Sequence, residues 1–318
     1  MGGGGSRLPT LQGAAPILVT GANGQLGRRL MRRLARMQPP RPSRALVRSE
    51  RAADAARGSG AQPDVRIVDY ADAAALAAAA AGCDAAVHLA GILKETRANR
   101  YVDAHERPAR ALADAAAKAG LRRIVCVSIL GSRADSPNRA LASKGRAEEI
   151  LLAGTVPAVI LRVPMVLGPG DPASAALARQ ARGGSVSLVR GGATKEQPIA
   201  ADDMLEAITA ALFRPDLERA ALDLAGPESL SHRDLVLRAA RVLGTQVEVR
   251  SLPYALVAAF AWLAEKLMAD PPLTPAMLGV LEHDDAIDQG PAARRLGIAL
   301  TPLDETLRRA LLEGEEAR

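Results

Sequence analysis

Aromatic side chains are scarce in this chain, at 2% of its 318 residues. Three tyrosines, two phenylalanines and one tryptophan leave alanine, leucine and valine to fill the core. Proteins that bind single-stranded nucleic acid stack bases on aromatic side chains, so this composition argues against that class. The net charge of +6 comes from arginines spread along the chain, without a basic block or arm, and no nucleic-acid partner is expected.

Cysteine is also nearly absent, with Cys83 and Cys126 as its two examples. Neither belongs to a CxxC pair or stands near clustered histidines, which excludes a disulfide framework and a zinc site. We expect no metal and a reducing compartment. Cys126, within the apolar run "RIVCVSIL", is most simply a small buried residue.

Long hydrophobic runs are missing too, and none reaches the roughly 20 residues of a membrane span. The nearest is residues 254–268, which carries Glu265 and Lys266. The glycine-rich start has no apolar core of a signal peptide, so we interpret residues 1–14 as a disordered leader. These absences indicate a cytoplasmic protein, with peripheral attachment at the inner face of a membrane left open.

Strand and helix patterns alternate through the first half of the chain. Short apolar runs such as "PILVTG", "DAAVHLAG" and "LRRIVCVSIL" are separated by amphipathic or alanine-rich segments. Apolar strands that do not alternate with polar residues are typical of a parallel sheet covered on both faces. We predict an α/β fold with a doubly wound parallel (Rossmann) sheet and a smaller, mainly helical C-terminal lobe.

The pattern also suggests how the chain is divided. Residues 15–168 form the predicted dinucleotide-binding domain, and residues 199–226 are expected to return to it. Residues 169–198 and 227–318 would form the lobe for a substrate or partner.

The motif with the clearest chemistry is "VTGANGQLG", in which Gly21, Gly24 and Gly27 follow the first strand and open a helix. Glycine permits the tight turn and lets backbone N–H groups approach a pyrophosphate, while the helix N-terminus adds partial positive charge. In this strand–turn–helix setting the glycines predict a dinucleotide site. A tight turn without a ligand is the alternative.

The second strand ends in "ALVRS", where an NAD-selective site usually places an acidic residue. Arg48 stands there instead, and a guanidinium matches a 2′-phosphate in charge and geometry. We therefore favour NADP(H) over NAD(H). Solvated arginines without a ligand remain the alternative, since arginine is abundant throughout the chain.

With these motifs in view, the chain resembles the extended and atypical short-chain dehydrogenase/reductases over nearly all of residues 15–312. Two segments, "AGILKE" and "DPPLTPAMLGVLEHDD", are similar to the branch that holds the nucleotide-binding accessory subunit of respiratory complex I and its bacterial relatives. The opening motif alone also suits a dehydrorhamnose reductase or an NmrA-like quinone reductase. The resemblance, together with the motifs above, implies these cofactor-binding residues: Gly21, Asn23, Gly24, Gln25, Leu26, Gly27, Arg48, Asp69, Tyr70, Leu89, Ala90, Gly91, Ser128, Lys144 and Pro164.

This family works with a Ser/Thr, a Tyr and a Lys, and the tyrosine is the general acid/base. In "NRALASKGRAEE", Ser143 and Lys144 match the pattern, but Ala140 stands at the tyrosine position. The serine position, counted along "VSILGS", is Leu130, with serines on both sides of it. A methyl group cannot transfer a proton, so the usual proton relay is absent. The resemblance implies that Lys144 also binds the nicotinamide ribose and can keep that role.

Other groups might replace the missing acid. Lys144, His105 and Ser128 are the candidate catalytic residues, and Tyr101 lies on the same predicted helix as His105. The simpler interpretation is that His105 lies on the helix surface or supports the site without contacting the reacting groups. His88 is more simply a packed histidine, and Asp202 and Asp203 more simply cap the helix "MLEAITAAL".

Three functional hypotheses follow. The first is an accessory or assembly protein with a bound dinucleotide, in which residues 254–282 would contact a respiratory or membrane-associated protein partner. The second is an NADP(H)-dependent oxidoreductase that acts on a quinone or carbonyl with a displaced proton donor. The third is an NmrA-like redox-sensing regulator. Phe260 and Trp262 could dock on a membrane or partner, although core packing is the simpler expectation for them.

Overall fold

The computed structural model describes residues 15–313, so the predicted leader lies outside the described residues. A parallel sheet of seven strands forms its centre. Its strands lie in the order β11-β6-β5-β4-β1-β2-β3 and every neighbouring pair is parallel. These strands are β1 (Ile17–Thr20), β2 (Ser43–Val47), β3 (Asp64–Ile67), β4 (Ala85–His88), β5 (Arg123–Ile129), β6 (Ala158–Val163) and β11 (Ala220–Asp223).

Short strand pairs outside this sheet join loops of the second half. They are formed by β7 (Val166–Leu167), β8 (Ser185–Val189), β9 (Lys195–Glu196), β10 (Ile199–Ala200), β12 (Leu230–Ser231) and β13 (Glu248–Leu252). The pairs are β7 with β10, β8 with β13 and β9 with β12.

Helices cover both faces of the sheet and build the second lobe. They are α1 (Gln25–Ala35), α2 (Glu50–Arg57), α3 (Ala73–Ala80), α4 (Arg107–Ala119), α5 (Arg139–Ala153), α6 (Pro172–Arg182), α7 (Ala201–Phe213), α8 (His232–Val242), α9 (Tyr254–Leu267), α10 (Pro275–Leu281), α11 (Gly290–Leu296) and α12 (Leu303–Arg308). A π-helical turn, Val102–Glu106, runs directly into α4, and another, Arg309–Glu313, follows α12.

The sheet is buried on both faces, which explains its uninterrupted apolar strands. In β1, Ile17 and Val19 belong to the cluster beneath α1 and α7, while Leu18 belongs to the cluster beneath α3 and α4. All three side chains are fully buried. The predicted doubly wound parallel sheet is confirmed.

Helices α2, α10 and α11 were not anticipated from the sequence, and α2 shows why. Ser49, which follows Arg48, caps α2 by accepting a hydrogen bond from the backbone N–H of Ala52. The alanine-rich segment "ERAADAAR" then buries only Ala53 and Ala56. Its apolar signal is weak because alanine supplies little hydrophobic contrast between the two faces of a helix.

The second lobe has a core of its own, in which α6, α8 and α12 pack together around Leu177, Leu235 and Leu307. Residues 199–226 supply α7, which covers the main sheet, and β11, which pairs with β6. The expected capping by Asp202 and Asp203 is wrong, because α7 has no side-chain cap. Asp203 instead accepts hydrogen bonds from the backbone N–H and hydroxyl of Thr301, at 2.7 and 2.6 Å.

Core packing of the segment 254–268 is also a wrong expectation. Within α9 only Ala261 and Ala264 are buried. Phe260, Trp262 and Leu267 are 54%, 56% and 71% exposed. The large apolar side chains of this helix therefore face outward, while Ala261 and Ala264 face the protein.

Candidate functional site

The loop between β1 and α1 is shaped by its three glycines. Gly21 has φ +68°, and a Cβ placed on it would lie 3.0 Å from the backbone nitrogen of Ala90. A Cβ on Gly27 would lie 2.6 Å from the carbonyl oxygen of Gly21. The loop thus packs against the end of β4 and against its own helix with no room for side chains, as a close backbone approach requires.

Tyr70 supports this loop through two hydrogen bonds. Its hydroxyl accepts a hydrogen bond from the backbone N–H of Gly21 at 3.0 Å and donates one to the carbonyl of Leu46 at 2.5 Å. The ring is 5% exposed, and burial raises the pKa of the Tyr70 hydroxyl. Tyr70, one of the predicted cofactor-binding residues, is therefore placed to fix the loop, and the neutral phenol is suited to that double hydrogen bond.

The N-terminus of α1 is arranged to receive an anion. Its N-cap is Gly24, with no side-chain cap and no acidic residue in the first turn. The next two helices differ, since Ser49 caps α2 and Asp72 caps α3. Free N–H groups, an exposed Gly24 and the helix dipole fit the pyrophosphate of a dinucleotide. Asn23 is exposed on the loop, and Leu26 is partly buried.

Gln25 and Arg28 join this region to the loop after β7. Gln25 donates from Nε2 to the carbonyl of Gly170 at 2.8 Å, and Arg28 donates to Gln25 Oε1 at the same distance. Arg29 donates to the carbonyl of Pro169 and lies 3.6 Å from Asp171. These contacts fix the loop beside the predicted phosphate site.

Arg48 and Asp69 follow β2 and β3 and are both exposed. The guanidinium carbon of Arg48 lies 5.9 Å from the ring centroid of Tyr70. Within residues 15–313 Arg48 has no ion-pair partner. Asp69 accepts a hydrogen bond from the backbone N–H of Ala71 at 3.0 Å. Its carboxylate therefore shapes the turn into α3.

A cavity of about 420 Å³ opens at the carboxyl ends of β4, β5 and β6. It gathers five of the predicted site residues with side chains from the second lobe. The predicted residues are Leu89, Gly91, Ser128, Lys144 and Pro164. Ala90, between two of these, lies against Gly21. The cavity therefore begins where the glycine loop ends, as expected for a substrate beside the reactive end of a dinucleotide.

Lys144 is the lysine that lines this cavity. It is 8% exposed, and its Nζ lies 3.5 Å from the carbonyl oxygen of Val127. A Cβ on Gly91 would come within 2.9 Å of the same Nζ, so the ammonium packs closely against the backbone that follows β4. Ser143 points elsewhere, because it donates to Glu106 at 2.8 Å. The match of Ser143 to the family pattern therefore does not place it at the cavity.

Ser128 and Leu130 line the cavity at the end of β5. Ser128 donates to the buried carboxylate of Glu148, which also binds Arg162 at 2.8 Å. This ties the hydroxyl to a structural ion pair. Leu130 is 3% exposed and offers only methyl groups at the family's serine position.

Ala140, at the tyrosine position, lies in a closed space. It is 1% exposed and packs with Tyr101 and Ala276, against which Ile92 and Val280 also rest. Tyr101 donates its hydroxyl to the carbonyl of Leu93 at 2.9 Å. The side of α5 that would carry the tyrosine is thus covered by α10 and by the turn before α4.

His105 and His88 are buried beside Lys144. Burial, reinforced by the Lys144 ammonium, lowers the pKa of each histidine to about 3. His105 Nε2 lies 3.1 Å from both the backbone nitrogen and the carbonyl oxygen of Ile92, and His88 Nδ1 lies 2.8 Å from Thr20 Oγ1. Both rings are therefore neutral near pH 7. Their contacts are with the backbone and with neighbouring strands.

Sequence reasoning missed the contribution of the second lobe to the cavity. His283 and Asp285 follow α10, and Glu196 comes from β9. His283 Nδ1 lies 3.2 Å from Asp285 Oδ1, and this hydrogen bond raises the pKa of His283. The sequence signal was a histidine among acidic residues in "LEHDDAID", which by itself indicates only a polar loop. Within the part of the chain that the structure describes, no group of three or more His, Cys, Asp or Glu could hold a metal.

The sheet, the glycine loop and the lysine beside the cavity define a dinucleotide-binding protein of the short-chain dehydrogenase/reductase type. Residues 21–215 match the family described as NAD(P)H-binding, and the chain belongs to that family. It is 30% identical over 239 residues to a ceramide reductase of Caulobacter vibrioides, covering 74% of this chain and 73% of that one.

A second relative is subunit 9 of the NADH dehydrogenase 1 alpha subcomplex from Arabidopsis thaliana mitochondria. It is 34% identical over 204 residues, which are 61% of this chain and 49% of the plant subunit. Among solved structures, UDP-glucuronic acid 4-epimerase from Bacillus cereus superposes with a TM-score of 0.72 at 17% identity. That superposition covers 95% of this chain and 100% of the epimerase. The epimerase likeness shows the fold alone.

The closed space around Ala140 predicts that a tyrosine cannot be accommodated at this position. Ala140→Tyr should lower the free energy of unfolding by about 1–3 kcal/mol, because the ring would have to displace Tyr101 or α10. Chemical denaturation measures the change. Glu149→Tyr, on an exposed position of the same helix, controls for tyrosine itself. Unchanged stability for Ala140→Tyr would show that the space is open.

Proposed function

We propose that this protein is an NAD(P)H-dependent reductase of an apolar carbonyl compound, a ketone or a quinone. The observation that carries the proposal is the open cavity of about 420 Å³ beside Lys144, whose wall is mainly Leu, Ile, Val, Met and Pro side chains. A protein that held its dinucleotide only as a structural element would have no need of an apolar cavity at the reactive end. One relative is named a ceramide reductase, and a ceramide is an apolar lipid.

The residues present fit the dinucleotide that the family binds. The glycine loop and the uncapped N-terminus of α1 would hold the pyrophosphate, and Lys144 would hold the nicotinamide ribose. When bound, a reduced dinucleotide supplies a hydride. The protein's own part is to bind the acceptor between Leu130, Pro164 and Val280, to exclude water and to place the ammonium of Lys144 near the developing charge.

Turnover tests the proposal directly. Purified protein should oxidise NADPH or NADH in the presence of a benzoquinone or a long-chain ketone. Lys144→Ala should lower kcat/KM by about 10²-fold or more, because it removes a charge that positions the cofactor and stabilises developing negative charge. Lys118→Ala, at an exposed position of α4, is the matched control and should match wild type. A reduced dinucleotide that stays bound and unoxidised with every acceptor would contradict reductase activity.

If no acceptor oxidises the bound dinucleotide, a second candidate function is favoured. In that case the protein is an accessory protein with a bound dinucleotide. Two observations support it: Ala140 and Leu130 remove the usual proton relay, and α9 presents an apolar surface outward. The plant relative is named as a subunit of an NADH dehydrogenase, although the alignment covers 49% of it. In this case Lys144→Ala would weaken dinucleotide binding and assembly rather than turnover.

We propose NADP(H) as the preferred dinucleotide on the basis of Arg48. It is exposed where β2 ends and lacks a carboxylate partner within the described residues. Asp69, the acidic residue that follows β3, is engaged in the turn into α3. An unpaired guanidinium at this edge suits a 2′-phosphate better than two ribose hydroxyls.

Arg48→Ala should weaken NADPH binding by about 10- to 100-fold, the value of one charge-assisted hydrogen-bond pair. NADH binding should be unaffected. Calorimetry or nucleotide fluorescence with both cofactors measures the difference. Arg57→Ala removes an arginine at the far end of α2 and should change neither affinity. Equal losses for NADPH and NADH would rule out a 2′-phosphate contact.

The outward face of α9 is proposed to bind a lipid surface at the mouth of the cavity. Leu256, Phe260, Trp262, Leu263 and Leu267 are between 48% and 71% exposed. The helix packs against α10, whose Val280 and Leu281 line the cavity. Arg190 and Lys266 flank the helix, and the net charge of +6 favours anionic headgroups. No helix among residues 15–313 is long and apolar enough to cross a membrane.

Trp262 is the single tryptophan and reports on this contact. Vesicles with anionic lipid should shift its emission to shorter wavelength, because the exposed indole would move from water into the interface. Phe260→Ser combined with Leu267→Ser keeps the reporter and should weaken the shift. Val102→Ser, at an exposed apolar position outside α9, is the control. Emission that vesicles leave unchanged would exclude this surface as a lipid contact.

A further inference from the structure

His283 reaches the cavity at the point where the usual proton relay is missing. It lines the cavity wall together with Lys144 and Leu130. Gly131 follows Leu130 directly, and a Cβ placed on Gly131 would lie 2.4 Å from His283 Nε2. The imidazole therefore rests against the backbone of the residue after the family's serine position. Gly131 has φ +77°, a conformation that also favours glycine.

Hydrogen bonds to Thr194 and Lys195 fix the segment that carries His283. The backbone N–H of Asp285 donates to the carbonyl of Lys195 at 2.9 Å. The backbone N–H of Lys195 donates in return to Asp284 Oδ1 at 2.7 Å. Thr194 donates its hydroxyl to Glu282 at 3.0 Å. The position of the imidazole is thus fixed by the fold, as a catalytic group requires.

We propose that His283, oriented by Asp285, donates the proton to the carbonyl oxygen of the substrate in this cavity, in place of the absent tyrosine. The inference rests on the proposed reductase function and extends it by naming the acid. Asp285 Oδ1, 3.2 Å from Nδ1, accepts the Nδ1 proton and so leaves Nε2, beside Gly131, to carry the second proton. A carboxylate that fixes a histidine in this way is a positioning residue.

The step balances without any further reactant. The carbonyl carbon takes the hydride that the reduced dinucleotide brings, and the π electron pair moves to the oxygen. The oxygen takes the Nε2 proton of the imidazolium, which leaves a neutral imidazole with its proton on Nδ1. The side chain of His283 is 35% exposed, so water can return the proton.

The surroundings of His283 raise its pKa. The hydrogen bond to Asp285 is the largest cause and Asp284 acts in the same direction, while burial and Arg133 oppose them. Glu196 and Lys144 line the same cavity. The pKa values of His88 and His105 instead fall to about 3 on burial. Of these three histidines, His283 is the one whose pKa is raised, so it is the best suited to donate a proton.

Glu196 is the competing donor, since it also lines the cavity and burial raises its pKa. Its Oε1, however, lies 3.1 Å from His232 Nδ1. His232 therefore binds the carboxyl group that would have to give up a proton. The structure favours His283, and the two are separable by substitution.

The test compares His283→Gln with wild type in NAD(P)H oxidation by a long-chain ketone. Glutamine keeps the hydrogen-bonding capacity but not the acid, so kcat should fall about 10²–10⁴-fold while the dinucleotide affinity stays the same. His232→Gln is the matched control, because His232 is also paired with a carboxylate but does not itself line the cavity. It should stay close to wild type. Wild-type turnover in His283→Gln would overturn the inference and leave the reductase proposal intact.

The pH dependence gives a second readout. A donor must be protonated, so kcat should be constant below the pKa of His283 and fall as the pH rises through it. Asp285→Asn removes the group that raises this pKa, and the fall should move to lower pH. Glu196→Gln should leave its position unchanged. If Glu196→Gln moves the pH at which kcat falls and Asp285→Asn does not, the proton donor is Glu196.

NMR of the four histidine rings tests the assignment without turnover. The His283 ring should titrate above the ordinary value, lose that shift in Asp285→Asn, and respond when a long-chain ketone is added with the oxidised dinucleotide. If wild type turns over no acceptor, the reductase proposal fails first. A His283 ring that does not respond to the ketone would then overturn the inference as well.

Discussion

Seven strands that run in one direction must all end at the same edge of the sheet. Residues far apart in sequence, from Gly21 to Arg162, are therefore placed along one line. The glycine loop, Arg48, Lys144 and the cavity all lie at this edge. The sheet can keep that edge free because helices cover its two faces and supply the hydrophobic burial, so the edge itself can carry polar and strained features.

The cavity is built from two lobes, and their contact leaves no room for a tyrosine at position 140. Small side chains at Ala140 and Ala276 let α10 approach the start of α5, where Asn138 Nδ2 donates to the carbonyl of Ala276 at 2.9 Å. A tyrosine at position 140 would hold the two helices apart. The same approach brings the residues after α10 to the end of β5. The packing of α10 against α5 therefore excludes a tyrosine at position 140 and also places the His283 imidazole beside the end of β5.

Much of this could be read from the sequence, because the relevant signals are local. The apolar strands, the glycine triplet and the helix that carries Lys144 each lie within about a dozen consecutive residues. The predictions that were wrong or missing concern features that depend on contacts between distant residues or on weak hydrophobic contrast between helix faces. Helix α2 is rich in alanine, and the outward direction of Phe260 and Trp262 depends on which face of α9 meets α10. His283 reaches Leu130 from more than 150 positions away, and no spacing rule links them.

Gly131 and His283 lie in direct contact, and this limits what position 131 can hold. A side chain there would have to displace the imidazole, because its Cβ would lie 2.4 Å from Nε2. It would also have to adopt φ +77°, a backbone conformation that side chains rarely take. A substitution of Gly131 would therefore disturb the cavity through His283, although Gly131 carries no side chain of its own.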